Sequence, residues 1–244
     1  MQANRAGSLP PVFQWTVPGR MLVFFLSATS IWCLLAEFYG LGSMRAFTLY
    51  ILIPSSVILV LLAAADRMKG DGRLCQAVLI GALGGLLAAF AYDLFRLPWV
   101  IGWIDKVGPH WLRLPLFKVF PRFGAMILGR PYSPDQTDSQ FPLIVHVVGW
   151  VYHFSNGITF GVMYMALLGD ARRRTWLWGV ALAAGLELAM LFTPYRSFFG
   201  IGLTALFVVV TLSAHVIFGV VLGLFACGRL SGSALRFYLD YILV

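Results

Sequence analysis

The sequence predicts an all-α integral membrane protein, a polytopic bundle of about six transmembrane helices. Three observations predict it. Of the 244 residues, 60% are hydrophobic and 11% are charged, against about 25% charged in a soluble domain. The apolar residues come in runs near the ~20 residues that a helix needs to cross a bilayer. Those runs are continuous rather than alternating, which argues against a membrane β-barrel.

Residues 1–20 read as a polar N-terminal tail with Arg5, Arg20 and three prolines, Pro10, Pro11 and Pro18. The run after it is too long for a signal-peptide core and has no small-residue cleavage site, so it is read as retained. Six apolar segments follow, at about residues 21–41, 46–65, 74–95, 142–168, 175–194 and 202–227. In lipid only helices, or a closed barrel, satisfy every backbone group. Pro54 removes one backbone donor and predicts a kink in the second helix. The organisation is a tail (1–20), helices one to three (21–95), an external segment (96–141), helices four to six (142–227) and a C-terminal tail (228–244).

Charge sets the expected orientation. With the N-terminus inside, the inner side carries ten bases: Arg5, Arg20, Arg67, Lys69, Arg73, Arg172, Arg173, Arg174, Arg229 and Arg236. The short outer loops carry only Arg45 and Arg196. This positive-inside bias predicts that both termini are cytoplasmic. The net charge of +8 then belongs to loops facing anionic lipid, and no nucleic-acid motif accompanies it. The partners expected are the lipid bilayer and, in one reading, other membrane-protein subunits. Cys33, Cys75 and Cys227 are widely spaced in or beside apolar runs and read as packing residues.

The external segment holds six further bases, Arg96, Lys106, Arg113, Lys118, Arg122 and Arg130. They alternate with Trp99, Trp103, Trp111, Leu112, Leu114, Leu116, Phe117, Phe120 and Phe123, and with Pro98, Pro109, Pro115 and Pro121. Such amphipathic, tryptophan-bearing sequence lies in the headgroup plane, either as a plain surface plug or as a lid over a site that opens outward. Entry of residues 112–128 into the membrane is the rival reading. Lys118 and Arg122 argue against it, since each costs about 2.5–3.5 kcal/mol at a helix centre.

Helices three and four and helices five and six resemble two copies of one hairpin. The first has Gly81, Gly84 and Gly85, then Asp93 and Leu94-Phe95-Arg96-Leu97-Pro98, and later His153-x3-Gly157-x3-Gly161. The second has Gly179 and Gly185, then Glu187 and Leu191-Phe192-Thr193-Pro194, and later His215-x3-Gly219-x3-Gly223. Each copy starts on the same side, so the repeat is parallel. Glycines four apart let helices approach closely. Gly81/Gly85, Gly157/Gly161 and Gly219/Gly223 therefore predict close contact among helices three, four and six. This arrangement, over Gly81 to Gly223, resembles the YagU-like bacterial inner-membrane proteins. The resemblance implies a multi-span protein of the bacterial inner membrane and no particular activity.

Ionisable residues at membrane depth are functional candidates by default. They are His146, His153, Glu187 and His215, with Glu37, Asp93 and Arg96 nearer helix ends. His153 lies 11 residues past Pro142 and His215 lies 13 past Gly202, roughly 17–20 Å into the membrane at 1.5 Å per residue. Glu187 lies 11 past Trp176 on a helix running the other way. The three share a level and match a two-His-one-carboxylate metal set. Two facing histidines would instead suit axial ligation of haem, and the same residues could form a proton relay. His146, seven residues before His153, shares its face and extends a polar track. Tyr152, Ser155 and Asn156 stand beside His153. Asp93 and Arg96, three apart, predict an ion pair at the outer interface, either structural or a gate or contact for a substrate headgroup. The plain alternative for each histidine is a hydrogen bond across helices, about 0.6 kcal/mol on average.

The chain lacks P-loop, HExxH, CxxC, GxSxG and desaturase histidine-box motifs. Three classes stay open. The first is binding or transport of a small solute, proton or metal at His153, Glu187 and His215. The second is a non-catalytic subunit of a larger complex. The third is a membrane redox protein holding haem or a divalent metal.

Overall fold

The computed structural model describes residue 10 and residues 13–101, 114–133 and 136–228. Arg5, Trp103, Lys106, Pro109, Trp111, Leu112, Arg113, Arg229 and Arg236 lie outside the described residues. The described chain is helical and contains no strand. Its helices are α1 (Val17–Phe38), α2 (Met44–Lys69), α3 (Arg73–Val100), α4 (Val119–Leu128), α5 (Leu143–Leu168), α6 (Leu177–Leu191), α7 (Tyr195–Phe198) and α8 (Ala205–Ala226).

Four of these, α1, α2, α3 and α8, are long and apolar enough to cross a membrane. α5 has the length, at 26 residues, but His146, His153 and Asn156 lower its hydropathy. α6 has 15 residues and spans only ~22 Å at 1.5 Å per residue. In α2, residues Thr48–Leu52 form a single π turn directly before Pro54. A wider turn there accommodates the proline's missing N–H, and π turns of this kind interrupt otherwise regular helices.

α6, α8, α3, α5 and α1 pack side by side in that order. α2 lies against α3 and α1, and α4 lies along α5. α4 runs antiparallel to its neighbour: a Cβ on Gly149 would strike the Phe120 carbonyl, and one on Gly124 would strike that of Val145. Arg122 is buried on this helix. It donates to the carbonyl oxygens of Lys118 and of Gln136 (2.7 Å) and pairs with Asp138 at 3.3 Å. α4 ends at Gly129, whose φ of +65° is a left-handed closure that glycine adopts without strain.

Glycine sets the helix spacing. A Cβ on Gly85 would lie 2.1 Å from the Gly157 carbonyl oxygen, and one on Gly161 would lie 1.9 Å from that of Gly81. α3 and α5 therefore touch backbone to backbone. The groove of Gly219 and Gly223 does not receive these helices, as the spacing alone suggests. It receives α6, through Gly179 and the Trp176 carbonyl. α8 meets α3 through side chains instead, Phe225 and Leu222 filling the space over Gly84.

At the α4 end of the bundle Phe38, Tyr195, Phe198 and Phe199 pack ring on ring, with Phe123 on Phe199. At the other end Arg20 caps α5, donating to the carbonyls of Ala166 (2.9 Å) and Leu167 (2.6 Å), and Trp15 donates to that of Gly169. A cation suits the negative C-terminal end of a helix.

Candidate solute site

Two acid–histidine pairs meet near the middle of the bundle. Asp93 of α3 holds His153 of α5, with Oδ2 and Nε2 2.8 Å apart. Its other oxygen pairs with Arg96 Nη1 at 3.3 Å. Glu187 of α6 pairs with His215 of α8 at 3.4 Å. The two pairs have the same register. Each acid stands eight residues after a contact glycine, Gly85 or Gly179, and each histidine stands four residues before the partner glycine, Gly157 or Gly219. Close glycine contacts thus bring the same two positions of each hairpin together.

Arg96 is buried with Asp93. It also donates to the Leu116 carbonyl, and its guanidinium carbon lies 4.5 Å from the Tyr92 ring centre, 5.1 Å from Phe117 and 5.6 Å from Phe120. Aromatic faces stabilise a desolvated guanidinium, and a buried charge needs such partners. Asp93 and Arg96 form the expected pair. They belong to the same cluster as His153.

His153 packs under Phe120, with ring centres 4.4 Å apart. The ring of Tyr92 touches both imidazoles, at 6.0 Å from His153 and 4.9 Å from His215. His215 Nδ1 lies 2.9 Å from the Thr211 carbonyl oxygen. That oxygen only accepts, so Nδ1 carries hydrogen and Nε2 of the neutral ring is an acceptor.

These groups wall a cavity of about 320 Å³ lined by Arg96, Asn156, His153, Glu187, His215 and Tyr92 among many apolar residues. α1 contributes Ile31, Leu34 and Leu35, and α6 contributes Leu182, Leu186 and Glu187 from the opposite side. The buried Oδ1 of Asn156 has no hydrogen-bond partner among the described residues.

No protein-family model matches the chain, and neither a curated protein nor a solved structure is detectably similar to it. The site must speak through its own residues.

Of the residues that the sequence singles out, His153, Glu187, His215, Asn156 and Arg96 share the cavity wall and Asp93 stands directly behind it. His146 does not line it. Its Nε2 donates to the Asp138 carbonyl at 3.0 Å, so it anchors the segment that also holds Arg122. His153, Glu187 and His215 fall into two pairs, and no three His, Cys, Asp or Glu side chains among the described residues are gathered to hold a metal ion. Tyr92, Thr211, Phe120 and the Leu116 carbonyl are contributors that sequence spacing misses. The signal available for Asp93 is its eight-residue distance from Gly85, which Glu187 repeats from Gly179.

Proposed function

We propose that this chain is a six-crossing inner-membrane protein, with both termini cytoplasmic, that binds and moves a small solute through the cavity between its two acid–histidine pairs. α5 and α6 supply the fifth and sixth crossings. The polar residues of α5 are shielded by α1, α3 and α4, and residues 175–194 extend the short α6. The matched registers of Asp93–His153 and Glu187–His215 support a parallel repeat of α3–α5 and α6–α8. The single observation carrying the reading is that both pairs border one cavity. Ionisable groups held in a bundle core mark substrate and proton paths. Imidazoles paired with carboxylates can take up and return protons as a solute enters and leaves.

A melting-temperature panel of small molecules on the purified protein tests this. A ligand that binds the folded state alone raises the melting temperature. At least one chemical class should stabilise the wild type and fail to stabilise Leu186→Trp, whose indole would fill the cavity. A panel in which every compound shifts both proteins equally would count against the proposal.

A further inference from the structure

We infer that the solute is an organic monovalent cation, a protonated amine on a compact apolar body, with its ammonium group held at Glu187. This rests on the reading that the cavity is the solute site.

The charges on the wall lead there. Arg96 is the one Lys or Arg side chain on the described lining, and it is already engaged by Asp93, the Leu116 carbonyl and the Tyr92 ring. Arg96 and Asp93 cancel one another. Glu187 has one partner among the described residues, His215 at 3.4 Å, and that ring already gives its Nδ1 hydrogen to Thr211. Glu187 is the one acid on the described lining, and no Lys or Arg among the described residues pairs with it.

The hydrogen-bonding capacity points the same way. Glu187 is an acceptor, as is the Nε2 of His215 when the ring is neutral. The Glu187 carboxylate favours a ligand that donates and disfavours an anion, while the Arg96 guanidinium is already engaged. A neutral apolar ligand would desolvate Glu187 without offering it a hydrogen bond, which is unfavourable. A metal ion needs several ligands at once, and no three are gathered among the described residues. The remaining lining, with Phe120, Phe160, Tyr195, Phe207 and Phe218, suits a weakly hydrated organic cation, since aromatic faces attract such charge.

The test uses one body with three heads: 4-tert-butylbenzylammonium, 4-tert-butylbenzyl alcohol and 4-tert-butylbenzoate. Binding to the full-length protein in detergent at neutral pH is measured by isothermal titration, with wild type, Glu187→Gln and Leu186→Trp compared at equal melting behaviour. The ammonium compound should bind at least ~10-fold more tightly than the alcohol, with the benzoate weakest. Glu187→Gln should erase that preference and leave the alcohol unchanged, and Leu186→Trp should abolish all three. Alcohol or benzoate binding that equals the ammonium compound and is lost in Leu186→Trp would overturn the cation assignment while the cavity stands. An ammonium preference that survives in Glu187→Gln would overturn the role of Glu187. If no probe shows binding sensitive to Leu186→Trp, both the inference and the cavity reading fail.

Discussion

Asp93 joins side chains of two helices: its one oxygen meets Arg96 at 3.3 Å on its own helix, and its other meets His153 at 2.8 Å on α5. One carboxylate thus fixes a buried guanidinium and a cavity imidazole together. Replacing it should reveal that coupling. Asp93→Ala strands Arg96 as an uncompensated buried charge and should destabilise the fold by about 3–5 kcal/mol. The double variant Asp93→Ala/Arg96→Met should recover part of the loss, because the stranded charge is gone. Denaturant unfolding in detergent checks both, and strictly additive losses would argue against the coupling.

The α3–α5 contact should be intolerant of any side chain. Gly161→Val drives a branched Cβ into the Gly81 carbonyl and should cost about 1–3 kcal/mol, the range for overpacking. Gly185, whose Cβ would meet nothing within 4 Å, is the matched control. Gly185→Ala should be neutral or slightly stabilising, as alanine is the better helix former by about 1 kcal/mol. Equal effects at the two glycines would contradict the backbone-to-backbone contact.

Arg122 should hold the segment after α4 in place. Arg122→Met removes the donor shared by the carbonyls of Lys118 and Gln136 and the partner of Asp138. Leaving buried acceptors unpaired costs about 1–3 kcal/mol. Limited proteolysis should then cut within residues 129–137 faster than in the wild type, while the loop at residues 170–174 is cut at an unchanged rate. Unchanged cleavage at both places would contradict this anchoring role.

Arg20 offers a smaller effect at the opposite end. Arg20→Ala removes two donors from the last carbonyls of α5 and should cost about 0.3–1 kcal/mol, the usual size of a cation at a helix C-terminus. Amide exchange confined to Ala166–Gly169 should rise. Exchange that rises throughout α5 would mean that Arg20 does more than cap.

Much of this fold is legible in the sequence because lipid leaves few options. Continuous apolar runs predict helices, and the runs at residues 21–41, 46–65, 74–95 and 202–227 correspond to α1, α2, α3 and α8. Glycine spacing predicts where a helix can approach another but not which helix arrives. Gly219 and Gly223 meet α6 because Gly179 presents a matching bare surface, while α3 offers its own glycines to α5. The site is half legible. His153 and His215 announce themselves as polar atoms in apolar runs. Asp93 and Arg96 sit three apart and look like a self-contained pair, and nothing local reveals that the second carboxylate oxygen reaches across to α5. Arg122 is a related case: the folded chain supplies it with acceptors from Lys118, Gln136 and Asp138, and only the first is visible in local spacing. Depth along a helix can be counted in residues, but rotation about its axis cannot, so the split of His153, Glu187 and His215 into two pairs needs the packed structure.

The most direct measurement is native mass spectrometry of gently purified wild type, His153→Ala and His215→Ala, with release and identification of any bound small molecule. The account predicts a low-mass ligand on the wild type, retained about tenfold less by either variant, with melting profiles close to the wild type. Variants that carry the same ligand to the same extent as the wild type would contradict a solute site between the two acid–histidine pairs.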